Sequence, residues 1–255
     1  MPRDQTFESD GVHIAYDDVG SGPPVVLVHG FASNRRQNWE AMGWYEALVE
    51  AGRRVVALDC RGHGESDKPT DVAAYADGVM AGDVVALLDH LAIDRADVVG
   101  YSMGARISLV VLVEQPERVN AVVLGGIGDP DRQSAGSRVA IAAALEADDP
   151  GTVESPIGRR FRRFADRPGN DRSALAACMR ASRPTVDRTR LASVDRPVLF
   201  VTGADDDLGR PESYVEAIPG AEAVVVQGRD HLTAVADAEA RAAVVAFLER
   251  RGLTR

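Results

Sequence analysis

The sequence is poor in cysteine, almost without lysine, short of positive charge and free of long apolar runs, and each shortage excludes a class of protein. Its two cysteines, Cys60 and Cys178, stand far apart without metal-ligand spacing, so neither a disulfide framework nor a cysteine-rich metal site is implied. Lysine occurs once, at Lys68, among 29 basic residues; with the abundant alanine this reads as the coding bias of a GC-rich genome. Acidic residues number 39, which gives a formal charge of −10 and an isoelectric point near 5.0. A phosphate backbone is met by a clustered basic face, so an acidic chain of this kind is not expected to bind DNA or RNA. No stretch reaches the roughly 18 apolar residues of a membrane span, and the first ten residues hold no apolar run that could act as a secretion signal. A cytoplasmic protein is expected, one that engages neither membrane nor nucleic acid. The sequence carries no signal of oligomeric state.

What is present suffices for one generous core: 255 residues, 45% hydrophobic and 27% charged. Short Val-rich runs bounded by Gly, Pro or Asp occur at Val25 to His29, Arg54 to Asp59, Ala96 to Tyr101, Val119 to Leu124, Val198 to Thr202 and Ala223 to Gln227. Such uniformly apolar strands belong to a parallel sheet covered on both faces. Thr6 to Val19 alternates more loosely, as an antiparallel edge hairpin turning at Asp10-Gly11 does. Helical periodicity falls between, at Trp39 to Glu50, Asp77 to Leu91, Met103 to Glu114 and Glu239 to Arg251. The fold class expected is therefore α/β, a mostly parallel, doubly wound sheet.

The alternation breaks once. From about Gly128 to Ser193 no strand pattern appears, and helical stretches at Ser137 to Ala147 and Arg172 to Ser182 flank an Arg-rich segment. That is too long for an unstructured loop in a compact domain. The expected organisation is a core of residues 1–128 and 194–255 carrying a small helical insertion, 129–193, within a single structural domain. Between Asp129 and Asp195, 12 Arg face 10 acidic residues, a net of +2, so the rest of the chain carries −12.

Gly100-Tyr101-Ser102-Met103-Gly104 directly follows a strand pattern and directly precedes a helical one. So tight a strand-to-helix turn strains its central residue, requires small residues two before and two after it, and lifts the Ser102 hydroxyl clear of the sheet. It also leaves backbone N–H groups at a helix N-terminus free to meet developing negative charge. A hydroxyl needs a base, and the base an orienting acid. Of the five histidines, His13 in the hairpin and His90 near a helix end read as surface or capping residues, and His29 and His63 end a strand and sit in a turn. His231 follows the last strand, placing it at the same sheet edge as Ser102, and is the base expected. Candidate acids are Asp205, Asp206 and Asp207, which follow a strand, and Asp129. Turn chemistry or helix capping also accounts for an Asp run there.

These motifs together resemble the α/β-hydrolase family, from about Phe7 to Leu253. In chain order Ser102, Asp206 and His231 match its nucleophile, acid and base, with Asp205 the next choice of acid. Asp206 stands three residues after Gly203, as the acid does in similar sequences. His29-Gly30-Phe31 matches the family's oxyanion motif, and residues 59–66 resemble its D-x-R-G-x-G-x-S turn. The resemblance implies that the backbone N–H groups of Phe31 and Met103 form the oxyanion hole, that Tyr101 and Trp39 line an apolar substrate site, and that residues 129–193 form a cap. Packing of Trp39 and Trp44 against the sheet is the alternative for those two.

Haloalkane dehalogenases and epoxide hydrolases on this fold use Asp where Ser102 stands, so serine implies acyl transfer. A serine esterase acting on small to medium carboxylic esters is expected, with no metal or organic cofactor. Lactonase, perhydrolase or haloperoxidase-like, and C–C bond hydrolase activities share the same triad, and a ligand receptor in signalling is a further alternative. Arg159, Arg160, Arg162, Arg163 and Arg167 surround Phe161 and Phe164. Helical spacing turns the phenylalanines inward and the arginines outward, as a solvated basic face or, at Arg160 and Arg163, as a contact for an anionic substrate group.

Overall fold

β-Branched side chains stiffen the backbone toward extended geometry, and runs of valine here become strands. The computed structural model describes residues 4–76, 78–128, 135–183, 186–207 and 210–252, and among these it holds one eight-stranded sheet. Its strands are β1 (Gln5–Ser9), β2 (Val12–Gly20), β3 (Pro24–Val28), β4 (Arg54–Leu58), β5 (Ala96–Tyr101), β6 (Val119–Gly125), β7 (Val198–Gly203) and β8 (Glu222–Val226). Their order is β1-β2-β4-β3-β5-β6-β7-β8. β1 pairs with β2 as a hairpin, β2 is antiparallel to β4, and every pairing from β4 to β8 is parallel.

The helices are α1 (Trp44–Glu50), α2 (Val79–His90), α3 (Met103–Glu114), α4 (Ala135–Glu146), α5 (Pro156–Ala165), α6 (Arg172–Arg180), α7 (Arg188–Ala192), α8 (Glu212–Ala217) and α9 (Ala238–Gly252). Pleating sends alternate strand residues to opposite faces. Val26, Val28, Val56, Leu58, Val98 and Phe200 pack with residues of α2 and α3. Val25, Leu27, Val55, Ala57, Val99 and Leu199 pack with residues of α1 and α9. Both faces are covered, which is why the strands read as continuous apolar runs.

From β3 the chain steps outward to β4 and then returns to the other flank of β3 as β5. The loops after β3 and β5 therefore diverge and leave a crevice at the carboxyl ends of the strands, the place where open α/β sheets take ligands.

Between β6 and β7 the described residues form helices only. α4, α5 and α6 bury a cluster of their own, including Ile141, Leu145, Ala165, Leu175 and Met179, which meets the body at Phe31 and Ala32 beyond β3. The insertion thus lies over the crevice. Ser155, Asp171 and Asp187 cap α5, α6 and α7 with side-chain oxygens. At the other end of α4, Arg162 donates to the carbonyls of Ala144 (3.1 Å) and Ala147 (2.7 Å), and Arg172 to that of Ala147 (3.0 Å), satisfying carbonyls that a helix end leaves without partners.

One element differs from the sequence expectation, and one gains its bounds from the structure. The helix expected over Trp39 to Glu50 is divided: a π-helical turn at Arg36–Glu40 precedes Gly43, whose left-handed φ of 75° breaks the helix before α1. α5 occupies the Arg-rich stretch, where helical spacing turns the phenylalanines inward but sets no helix bounds; its inward face is Ile157, Phe161, Phe164 and Ala165.

Candidate active site

The tight turn after β5 puts Ser102 at φ 55°, ψ −109°, a left-handed backbone that a serine adopts only when its surroundings impose it. What imposes it is close packing: a Cβ on Gly100 would collide with the Gly104 carbonyl, and one on Gly104 with the Val28 carbonyl of β3. The Ser102 N–H donates to the Gly125 carbonyl (2.7 Å), which locks the turn to β6. Its hydroxyl projects into the crevice.

There it meets a histidine from the far side of the sheet. Ser102 Oγ lies 3.0 Å from His231 Nε2, and His231 Nδ1 lies 2.9 Å from Asp206 Oδ2. Because a carboxylate only accepts, Nδ1 carries the proton and Nε2 presents its lone pair to the hydroxyl. Asp206 is buried and Asp205 exposed, while Asp207 is exposed and pairs with Arg160 of α5. Of the three adjacent carboxylates, one therefore reaches His231. Asp129, the other acid considered, lies outside the described residues.

Tyr101 braces the base. Its hydroxyl donates to the His231 carbonyl (2.7 Å), and its ring packs 5.6 Å from the imidazole. Burial, and then the neighbouring Asp206, raise its phenol far above the ordinary value, so it remains a donor. Asp230 accepts from the N–H groups of Leu232 and Thr233, which stiffens the loop carrying His231.

Behind the loop after β3 lies a buried framework. His29 Nδ1 donates to the Gly30 carbonyl (2.7 Å) and its Nε2 accepts from the Cys60 N–H (3.0 Å). Burial holds His29 down at about 4, and burial followed by the nearby His29 holds His63 down at about 3. Both are neutral within the scaffold: His29 donates and accepts, whereas His63 Nδ1 donates to the Arg61 carbonyl (3.0 Å) and its buried Nε2 has no partner. Asp59, in the 59–66 turn, takes the N–H groups of Arg35 (2.7 Å) and Glu65 (2.8 Å), so the motif is a brace between β4 and the loop after β3. Of the remaining histidines, His13 pairs with Asp67 at the surface and His90 meets the Tyr16 hydroxyl.

The N–H groups of Phe31 and Met103 have no partner among the described residues. A cavity of about 230 Å³ opens over Ser102 and His231, lined by Phe31, Met42, Phe161, Phe164, Leu232 and Val235, with Tyr101, Arg160 and Arg167. Trp39, expected to line the site, does not: it is fully buried against Trp44, ring centroids 5.3 Å apart, because the π-helical turn rotates it toward the sheet. The Met103 side chain faces a different cavity. Arg163 is exposed away from the pocket and Arg162 is buried at the end of α4, so the basic residues that reach the pocket are Arg160 and Arg167, the latter stacked 5.0 Å over Phe164.

Asn38 was missed by sequence reasoning. Its Oδ1 accepts from the Gly30 N–H (3.1 Å), while its buried Nδ2 has no partner and the residue lines the cavity. The only signal is its place in a π-helical turn, an irregularity enriched at functional sites but invisible in sequence. Among the described residues, no three His, Cys, Asp or Glu side chains are grouped to hold a metal, and no helix is long and apolar enough to cross a membrane.

A family model described as alpha/beta hydrolase fold matches residues 23–146. A putative 2-succinyl-6-hydroxy-2,4-cyclohexadiene-1-carboxylate synthase of Bacillus subtilis is 36% identical over 118 residues, which is 46% of this chain and 41% of that protein. Against such relatives the matched stretch spans well under half of their length. The dihydrolipoyllysine-residue acetyltransferase component of an acetoin cleaving system from Pseudomonas putida is 30% identical over 98% of this chain and 70% of its own. The solved structure of a thermophilic esterase from Thermogutta terrifontis superposes with a TM-score of 0.77 at 26% identity, covering 98% of each chain. Similar proteins also include epoxide hydrolases, an enol-lactonase and bromoperoxidases.

Proposed function

We propose that this chain, which belongs to the α/β-hydrolase family, is a serine hydrolase that cleaves small to medium carboxylic esters through an acyl-enzyme. The observation that carries the reading is the pair of hydrogen bonds on His231, 3.0 Å to Ser102 and 2.9 Å to Asp206.

In this reading Ser102 Oγ attacks the ester carbonyl carbon while His231 Nε2 takes the hydroxyl proton, and Asp206 stabilises the resulting imidazolium. The carbonyl π electrons move to oxygen, where the N–H groups of Phe31 and Met103 receive the oxyanion. Each such donor supplies roughly 2.7–4 kcal/mol of barrier lowering. Collapse expels the alcohol, which takes its proton from His231. A water then attacks the acyl-serine with His231 as base, releasing the acid and restoring Ser102. Three side chains, two backbone amides and water carry every step in this scheme.

A neutral serine also bears on the choice among related chemistries. Opening an epoxide would leave an alkyl–serine ether, which has no carbonyl for water to attack and could not turn over by this route. An acyl group has one. The helical insertion acts as a cap in this scheme, its Phe161 and Phe164 closing an apolar pocket and Arg160 and Arg167 favouring an anionic group on the substrate.

A fluorophosphonate probe tests the reading. Labelling confined to Ser102, lost in Ser102→Ala, with multiple turnovers on short-chain nitrophenyl esters, is the expected result. Labelling that survives Ser102→Ala would overturn it, and one slow burst without turnover would favour a ligand receptor. Activity across esters, lactones and diketones then ranks the scissile bonds.

A further inference from the structure

A second cavity, of about 250 Å³, opens between α2, α3 and the chain leaving α6. Neither Ser102 nor His231 lines it; of the elbow residues 100–104, Met103 alone does. At about 30 Å³ per liquid water, the space is on the order of eight waters. Met80, Ile107, Leu109 and Val110 make its walls largely apolar, yet Arg106 and Arg183 also line it.

These guanidinium groups and that of Arg138 are close enough to repel one another, and the described residues supply no carboxylate within ion-pair distance of any of the three. Arg106 reaches the Ile127 carbonyl at 3.4 Å, Arg138 the carbonyls of Met179 (3.0 Å) and Ala181, and Arg183 only the Met179 sulfur, at 3.9 Å. Arg138 Nε is buried without a hydrogen-bond partner. Burial first, and then Arg138 and Arg106, bring Arg183 down to about 10. Charge held in partly dry surroundings beside like charge is unfavourable unless an anion joins it.

The chemistry of the remaining wall narrows the anion. Tyr75 already donates its hydroxyl to the Pro69 carbonyl; the other polar groups of the wall are the Ser182 and Tyr214 hydroxyls and the Cys178 thiol, and the faces of α2 and α3 present mainly aliphatic side chains and no amide. Two forked guanidinium groups suit the two oxygens of a carboxylate, while the aliphatic walls suit a hydrocarbon body. We propose that this cavity is a second binding site, for an amphipathic monocarboxylate whose head sits at Arg183 and Arg106 and whose apolar body lies along Ile107 and Val110. The site is independent of the chemistry assigned to Ser102.

Calorimetric titration of the full chain bearing Ser102→Ala with octanoate, octanol and octyl phosphate tests it. Expected are an octanoate site that survives Arg167→Gln, octanol at least tenfold weaker at it, octyl phosphate no tighter than octanoate, and at least tenfold weakening of octanoate there by Arg183→Gln. Arg167→Gln, in the pocket over Ser102, should change octanoate affinity less than twofold. Val110→Phe fills the cavity without touching a charge and should also abolish binding, with neutral-ester turnover retained in the Ser102 protein. Octanol binding as tightly as octanoate, tighter binding of octyl phosphate, absence of binding at millimolar octanoate, or loss through Arg167→Gln in place of Arg183→Gln would each overturn the proposal.

Discussion

In the α/β body, buried arginines end on buried carboxylates: Arg35 on Asp17 and Asp59, Arg53 on Asp97, Arg61 on Asp83 through two bonds of 2.7 and 2.6 Å. In the helical insertion guanidinium groups lean more on carbonyls: Arg138 reaches those of Met179 and Ala181 with no carboxylate among the described residues, while Arg162 and Arg172 combine the carbonyls of Ala144 and Ala147 with the half-exposed Asp166. Both arrangements satisfy donors. A carboxylate also cancels the charge, whereas a carbonyl leaves it in place and is favoured only by the partial negative end of its helix. The two regions therefore differ in what remains after their internal hydrogen bonds are made. Arg35, Arg53 and Arg61 are cancelled inside the body, whereas Arg138 and Arg183 of the insertion, with Arg106 of α3 beside them, keep positive charge around the second cavity.

Under the proposed function chemistry belongs to the body and selection to the insertion, and the largest expected effect tests that division. On a nitrophenyl ester, Ser102→Ala should lower kcat about 10⁶-fold and Asp206→Asn about 10⁴-fold. Asp205→Asn should stay within a few-fold of the parent, and a collapse there with Asp206→Asn still active would move the acid by one residue. Next comes stability, read from denaturant midpoints. Arg61→Met strands the buried Asp83 and should cost about 3–5 kcal/mol, while Arg183→Met removes an unpaired charge and should cost nothing or raise the midpoint. Equal losses would erase the distinction between the regions.

Acid sensitivity should belong to the body. His29 and His63, held at about 4 and about 3 against 6.5 when unfolded, take up protons on unfolding. Their contribution is therefore complete above pH 6.5 and is lost as pH falls toward those values, by about 1.4 kcal/mol per pH unit for each. His63→Asn should remove one such slope from a series of unfolding curves between pH 6.5 and 4, and Arg163→Gln should leave it unchanged. The smallest effect concerns selectivity: Arg167→Gln should reduce the preference for a nitrophenyl hemisuccinate over a neutral ester about threefold to tenfold, with Arg163→Gln as the silent control. A preference shifted by Arg163→Gln and not by Arg167→Gln would reverse the placement of these side chains.

The strands could be read from sequence because parallel strands buried on both faces must be apolar at every position, as Val25 to Val28 and Val55 to Leu58 are. Helix α3 was equally clear, since the elbow starts it and Gln115-Pro116 ends it. Ser102, Asp206 and His231 come from three separate loops, yet each is marked by standing just beyond a strand, and parallel strands gather such loops at one edge. Side-chain direction was less legible. Trp39 turned inward within a π-helical turn that apolar spacing does not mark, and Arg162 turned inward because the end of α4 offered carbonyls no linear pattern reveals. Composition marked the insertion as basic. It carries no information on which arginines find an acid.

Gly104 rests on the Val28 carbonyl with no side chain between them. The spacing between the helix that begins after Ser102 and the strand that leads to Phe31 is consequently set by the contact of two peptide groups, with no side-chain rotamer involved. The two amides proposed to receive the oxyanion are thus gauged against each other by backbone-to-backbone packing, which any side chain at position 104 would force apart.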